Sequence, residues 1–464
     1  MQSLPSDVIL QITSFLSLAD VVSLSLVSKS YYALAAEHSF WLQPLRAARL
    51  KQPLACPALD DLSEHTPASL KQLALHALRL AHNWRQPTAR VRGPVCSLPC
   101  GAHTRILCVL AGARAAVLYS TSEETAMCCD LSAGRASAPV FVGQIVDVAP
   151  PLEEPGGWTL AALLASQEIV VFTARVHPLS LQVVCTRALE PGYTHSNIFL
   201  PDAAVVGVVR APAAGDGLQL HSYNMADPEI TATVQTDCPA GGVVATAVGD
   251  DAVHLFVLQN VQAPVYACPR ALLAYACPAP RADYTLRRSH VARIPRPPSD
   301  AASGSYAGEN HRVLCGAAPI SVAQRFTLVP IVDSWRFGPH SVALTFWPRP
   351  SQVNAALHPA HTVAVLGTLV RELVAAAPSG RAAVLVVAPL AEEEDDDEED
   401  EDEDADAAPV LMLVQADADA EPVQLQVPAA LDLLRICALA LDDHIGCVFV
   451  VTDDDECMHC IPYA

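Results

Sequence analysis

Lysine is almost missing from this chain: Lys29, Lys51 and Lys71 are the only three in 464 residues, against 25 arginines, and none follows residue 71. Basic charge as a whole is scarce. The 28 lysines and arginines face 50 aspartates and glutamates, a net of -22, so no wide surface can neutralise phosphates and a general nucleic-acid binder is excluded. Fourteen of the acids form one run, Glu392 to Asp406, and the other 36 leave about -8 on the rest, ordinary for a soluble protein. No uncharged apolar run reaches the roughly 18 residues of a membrane-spanning helix, and Met1 to Leu50 lacks the features of a signal peptide. A soluble chain of the cytoplasm or nucleus is expected, with no membrane partner. The 15 cysteines are odd in number, scattered from Cys56 to Cys460 and unaccompanied by any Asn-x-Ser/Thr sequon, which disfavours a disulfide framework. There is no G-x-S-x-G elbow, G-x-x-x-x-G-K-[ST] phosphate loop, G-x-G-x-x-G or H-E-x-x-H, so no catalytic signature or cofactor is legible.

What is present is apolar: 52% of residues are hydrophobic, only 5% aromatic and 17% charged, which demands a large core and is too apolar for disorder. The first 45 residues repeat with the helical period. Val8, Ile9, Ile12, Phe15 and Leu16 share one face of a short helix that Ser6 is placed to cap. Asp20 can cap a second helix over Val21 to Val27, and Ser28 or Ser30 a third through Tyr31 and Leu34, closing on Phe40-Trp41-Leu42. Thr66-Pro67 reads as a cap and first position of a helix whose stripe is Leu70, Leu73, Ala74, Ala77, Leu78 and Ala81, ending at Trp84. So small a bundle leaves apolar positions waiting for a partner.

Leu4-Pro5-Ser6-Asp7-Val8-Ile9, Ile12 to Leu16, Asp20-Val21, Leu24 to Ser28-Lys29 and Trp41 resemble an F-box in order and spacing. Asp7 stands where Glu is common and Ser28 where Cys is common. The resemblance implies docking on the Skp-type adaptor of a Skp–cullin–F-box ubiquitin ligase. It places Leu4, Pro5, Val8, Ile9, Ile12, Leu16, Val21, Leu24, Val27 and Trp41 in or beneath the docking face. Leu73 to Leu80 with Asn83-Trp84, Ser379 to Val384, and Ile461-Pro462-Tyr463-Ala464 also resemble segments of fungal F-box proteins with a propeller-like C-terminal half.

After residue 88 short Val/Leu/Ile/Ala runs recur between Gly, Pro and Asp/Asn clusters: 105–110, 115–119, 140–148, 159–165, 168–173, 204–209, 218–223, 243–248, 252–258, 312–316, 341–347, 361–366, 382–388, 409–414 and 445–451. So many short strands exceed one sandwich, and a β-propeller of six to eight blades accommodates them. The expected fold is mainly β with a small α domain: a three-helix F-box (1–45), a helical linker (46–86) and a propeller-like substrate-binding domain (87–464) with a disordered acidic loop near 391–408.

Arg281, Arg287, Arg288, Arg293 and Arg296, with only Asp283 among them, form the weaker candidate for substrate binding, since guanidinium groups pair with phosphate or carboxylate. Cys457-Met458-His459-Cys460 invites a zinc reading, but a strand turns Cys457 and Cys460 to opposite faces, and no metal is expected. The sequence therefore points to a non-catalytic recognition subunit that holds a protein substrate and meets a cullin through the adaptor. A scaffold without a cullin and a propeller enzyme with an appended F-box are the alternatives. Beside the F-box resemblance, the lysine deficit reads as resistance to self-ubiquitination, with GC-rich codons as the competing cause.

Overall fold

The structure is a computed structural model that describes residues 4–464 apart from 214–216, 228, 239–242, 250, 259–261, 276–284, 289, 294–311, 314–325, 329–330, 333–340, 349–360, 367, 389–407, 418–419 and 454. Helices come first: α1 (Ser6–Thr13), α2 (Leu18–Val27), α3 (Lys29–Leu34), α4 (His38–Arg49) and α5 (Pro67–Asn83). Ser6 is the first helical residue of α1 and caps nothing, because Pro5 occupies the cap position. The second cap is Ser17, three residues before the expected Asp20; its hydroxyl accepts from the Asp20 N–H (3.2 Å) and donates to the Asp20 carboxylate (2.6 Å). Ser28 caps α3 by accepting from the Tyr31 N–H. Phe40-Trp41-Leu42, which close the bundle, are themselves helical and start α4. Thr66 and Trp84 bound α5 as the sequence requires, the Thr66 hydroxyl accepting from the Ser69 N–H.

Four of these helices bury one core, in which Val21, Phe40, Trp41, Leu45 and Leu70 are fully enclosed. Trp41 satisfies its indole by donating from Nε1 to the Ala35 carbonyl (2.7 Å), as a buried polar atom must.

Beyond residue 88 the described strands form eight sheets. Two small adjoining ones come from residues 312–366 and fill one position, giving seven blades, inside the expected range. Blade 1 runs Thr104–Leu110, Ala115–Ser120, Thr125–Asp130 with two short outer strands; blade 2 runs Ile145–Val148, Gly157–Leu164, Glu168–Val176, Leu179–Ala188. Blade 3 is Tyr193–Asp202, Val205–Pro212, Gln219–Asn224, Thr231–Thr236, and blade 4 is Val243–Val248, Ala252–Leu258, Gln262–Pro269, His290–Arg293. Blade 6 is Thr368–Ala376, Ala382–Ala388, Val410–Gln415, Val423–Leu425. The expected single run 140–148 is two strands. The chain turns at Gly143-Gln144, so Val140–Phe141 edges blade 1 while Ile145–Val148 opens blade 2.

Blade 7 is Ile436–Asp442, Cys447–Thr452 and Cys457–Pro462, completed by Cys96–Pro99 from the start of the domain. Its first strand packs on Thr368–Ala376 of blade 6 and on Thr104–Leu110 of blade 1, so the ring closes on itself. Apolar wedges fill the gaps, for example Phe172, Leu160 and Val117 between blades 1 and 2, and Phe449, Leu118 and Met458 between blades 7 and 1. Closure leaves no blade without a neighbour, the propeller's answer to the edge-strand problem.

The helices seat on one face of this ring through buried polar contacts. Asn83, at the end of α5, donates to the carbonyls of Arg90 and Tyr463 (both 2.7 Å) and accepts from the Arg90 N–H (3.0 Å). Glu153 of blade 2 accepts from the Ala58 and Leu59 N–H groups (2.9 and 2.6 Å). His444 Nδ1 donates to the Leu54 carbonyl (3.0 Å), and His76 Nε2 to the Ile445 carbonyl (3.2 Å). Backbone contact is equally close: Gly446 sits at φ +66° under Leu80, and Gly112 at φ +73° against the Cys56 carbonyl, and a Cβ at either would collide. Replacing Asn83 by Ala removes three hydrogen bonds and strands buried backbone groups. Urea unfolding should show a loss of about 2–4 kcal/mol; a loss below about 0.5 kcal/mol would mean the clamp carries no weight.

Candidate adaptor-docking face

The fully buried residues of the bundle set the frame on which the candidate side chains stand. Val21 and Trp41 are at 0% exposure and lie beneath the surface. Ile9, Leu16 and Leu24 are half-buried and pack on that core. Leu4, Pro5, Val8, Ile12 and Val27 are exposed, Val27 by 69%. Three further apolar side chains, which the sequence did not place in the docking face, are also open: Phe15 (83%), Leu26 (71%) and Tyr32 (62%). Phe15 was expected on the buried face of the first helix, but α1 ends at Thr13 and the next turn swings Phe15 outward.

Large apolar side chains left in water on α1, the α1–α2 turn, the end of α2 and α3 cost free energy, roughly 25 cal/mol per Å² not buried. Lys29 and Lys51 are exposed on the same helical body, and the half-buried Lys71 places its ammonium 5.6 Å from the Tyr32 ring centroid.

Of the arginine candidates, Arg287 and Arg288 are exposed, and Arg293 is the last residue of the strand His290–Arg293. Arg281, Arg296 and the acidic run 392–406 lie outside the described residues. Two cavities stand out. One of about 240 Å³ is lined by inner-strand residues Val109, Val148, Val374, Ala375, Leu439 and Leu441, with Cys108 the one thiol, whose pKa burial pushes up. This part of the ring centre is apolar and holds no carboxylate or imidazole. The other, about 820 Å³, lies between α5 and blade 6 and is lined by Lys51, Trp84, Arg85, Arg381, Asp417 and Glu421 among others. Among the described residues no three His, Cys, Asp or Glu side chains are arranged to hold a metal ion, and no helix is long and apolar enough to cross a membrane.

Beneath the docked helices, Asp442 is fully buried and accepts from the Gly112 and His444 N–H groups (3.0 and 2.9 Å). Burial outweighs these bonds and pushes its carboxyl up to about 6.

Residues 1–47 match the F-box-like family. No curated protein matches the chain in sequence. Among solved structures, the chain is similar to the β-propeller domain of Cps50 (Swd1) from Myceliophteria thermophila, at 9% identity and a TM-score of 0.47, over 79% of this chain and 99% of that one. It is similar to the WD40 domain of SCAP from fission yeast at 10% identity and a TM-score of 0.37, over 80% and 98% of the two chains. Likeness at that level adds nothing to the ring already traced strand by strand. The chain carries an F-box-like helical domain at its start and a β-propeller behind it, whose described strands form seven blades.

Asp442 gives a pH signature. Its folded pKa lies above the unfolded value of about 3.9, so the folded state binds the extra proton and stability falls as pH rises from about 4 through 6. Unfolding measured against pH should show this decline in the wild type, on the order of 3 kcal/mol, and a flatter profile in Asp442→Asn. Parallel profiles would mean that the carboxyl is not desolvated as its burial requires.

Proposed function

We propose that this chain is the substrate-recognition subunit of a Skp–cullin–F-box ubiquitin ligase. The F-box-like domain docks on a Skp-type adaptor, through it on a cullin, and the propeller holds a protein substrate. The observation that carries the reading is the set of exposed apolar residues Leu4, Val8, Ile12, Phe15, Leu26 and Val27 on a bundle whose core is already filled by Val21, Phe40 and Trp41. A bundle that needed these side chains for its own stability would have buried them.

The mechanism is positional. Asn83, Glu153, His444 and His76 fix the bundle to the propeller, so a substrate on the ring is held at a set offset from the adaptor and its lysines meet the charged enzyme at high effective concentration. The chain itself forms no covalent bond in this reading. Exposed Arg287 and Arg288 remain the candidate contacts for an acidic or phosphorylated substrate. The enzyme alternative needs a polar central pocket, and the described cavity at the ring centre is apolar. The scaffold alternative keeps the adaptor and lacks the cullin. All three lysines sit on the helical body, so the propeller offers no side-chain amine to its own ligase.

Phe15→Asp with Leu26→Asp tests the docking face without touching the core. Calorimetry with the organism's Skp-type adaptor should show tight binding by the wild type and at least a hundredfold loss in the double variant, with unchanged circular dichroism. Equal binding by both would end the docking assignment. Recovery of adaptor without cullin from cells would favour the scaffold.

A further inference from the structure

The ring closes where Cys96–Pro99, near the start of the propeller, pairs antiparallel with the last strand, Cys457–Pro462. Cys96 and Cys460 face each other directly in that register. The neighbouring pair confirms how the side chains align, since Ser97 Oγ and His459 Nδ1 meet at 2.9 Å on the opposite face. Directly opposed antiparallel residues have Cα atoms about 4.5–5.5 Å apart, within the roughly 4.4–6.8 Å a disulfide spans. Cys96 is exposed and Cys460 is buried behind it. A third thiol, Cys447, is buried on the adjacent strand.

We propose that Cys96 and Cys460 are a thiol–disulfide exchange site that locks the propeller ring, taking a small disulfide such as glutathione disulfide as oxidant. The Cys96 thiolate attacks one sulfur of the small disulfide, whose S–S bond breaks and expels one thiolate. The Cys460 thiolate then attacks the Cys96 sulfur of the mixed disulfide and expels the second. Two protein thiols lose two electrons, one small disulfide is reduced to two thiols, and the protons from Cys96 and Cys460 end on the released thiolates. Exposure decides the order, because only Cys96 can be reached from solvent.

The surroundings suit the second step. The Cys447 thiol donates to the Cys460 sulfur and holds its pKa below the ordinary thiol value, helped by the charge of Arg114 and opposed by burial. A thiol so placed carries more thiolate at neutral pH. Other cysteines at the seam are worse placed: Cys457 faces Pro99 across the strands, and Cys100 is buried with its thiol donating to the Glu456 carbonyl (3.3 Å). The bond would join the two ends of the domain and enclose nearly the whole propeller in one covalent loop, a cross-link of the kind that restricts an unfolded chain. The site stands apart from the helical bundle and does not depend on adaptor binding.

The test uses the full chain, reduced, then exposed to glutathione disulfide, alkylated, cleaved after arginine and mapped without reduction. The expected product is the Cys96 peptide linked through Cys96 to Cys460, reversed by dithiothreitol, lost in Cys96→Ser and Cys460→Ser and retained in Cys100→Ser and Cys457→Ser. Oxidised wild type should melt a few degrees above the reduced form, while Cys96→Ser, altered only at the surface, shows no redox-dependent shift. Cys96 recovered solely as its glutathione adduct overturns the proposal, as does a Cys96 cross-link that survives Cys460→Ser.

Discussion

Ring closure is the constraint on which the rest of this structure depends. A propeller blade buries its faces against two neighbours, so an open ring would leave the facing surfaces of the first and last blades in water. Here Cys96–Pro99, from the start of the domain, supplies the fourth strand of blade 7, and the stability of blade 7 is tied to a segment more than three hundred residues away. Asn83 holds the approach to that seam, binding the chain just before it (Arg90) and just after its far end (Tyr463) with one amide. Local order in α5 and long-range order in the ring are thereby coupled.

The same contacts settle which side of the propeller is available. The turns at Gly112, Ala377–Arg381 and Asp443–Gly446, together with Glu153, face the helices. Strands that leave those turns finish on the other side, so the 121–124 turn, Asp453 and Asp455 and the strand ends Ala388 and Val410 lie on the side away from the bundle. A substrate on that side would be opposite the adaptor rather than beside it, whereas the cleft of about 820 Å³ between α5 and blade 6 opens on the helix side.

Sequence periodicity found strands whose faces are both covered, such as Ala115–Ser120, Ala382–Ala388 and Cys447–Thr452, in which almost every residue is buried. It passed over Leu179–Ala188, where Gln182, Val183 and Val184 are exposed and the apolar signal is interrupted by polar residues. It also passed over the outer strand Thr231–Thr236 and, for a different reason, the inner strand Ile436–Asp442, whose Cys437 is exposed at the ring centre end of blade 7. Outer strands of a blade touch solvent along one edge, so their composition approaches that of loops. The caps Ser28 and Thr66 were legible, whereas Ser6 falls one residue inside α1 behind Pro5, and Asp20 was read in place of Ser17, three residues before it, to which it is hydrogen-bonded.

By itself the sequence determined the class of each part. The F-box pattern lies within one short stretch, α5 is bounded by its own cap and by Trp84, and repeated short apolar runs demand many strands, all because helix period, capping and strand alternation act between residues close in the chain. Only the tertiary structure decided that the segments Asn83-Trp84, Ser379 to Val384 and Ile461 to Ala464 converge on one core, in which Trp84, Val384 and Tyr463 pack together. It also decided that Phe15 and Leu26 are open to solvent while Trp41 is sealed, and that Cys96 lies opposite Cys460. These juxtapositions depend on how blades close into a ring and which faces the ring leaves uncovered, and no local rule in the chain encodes either.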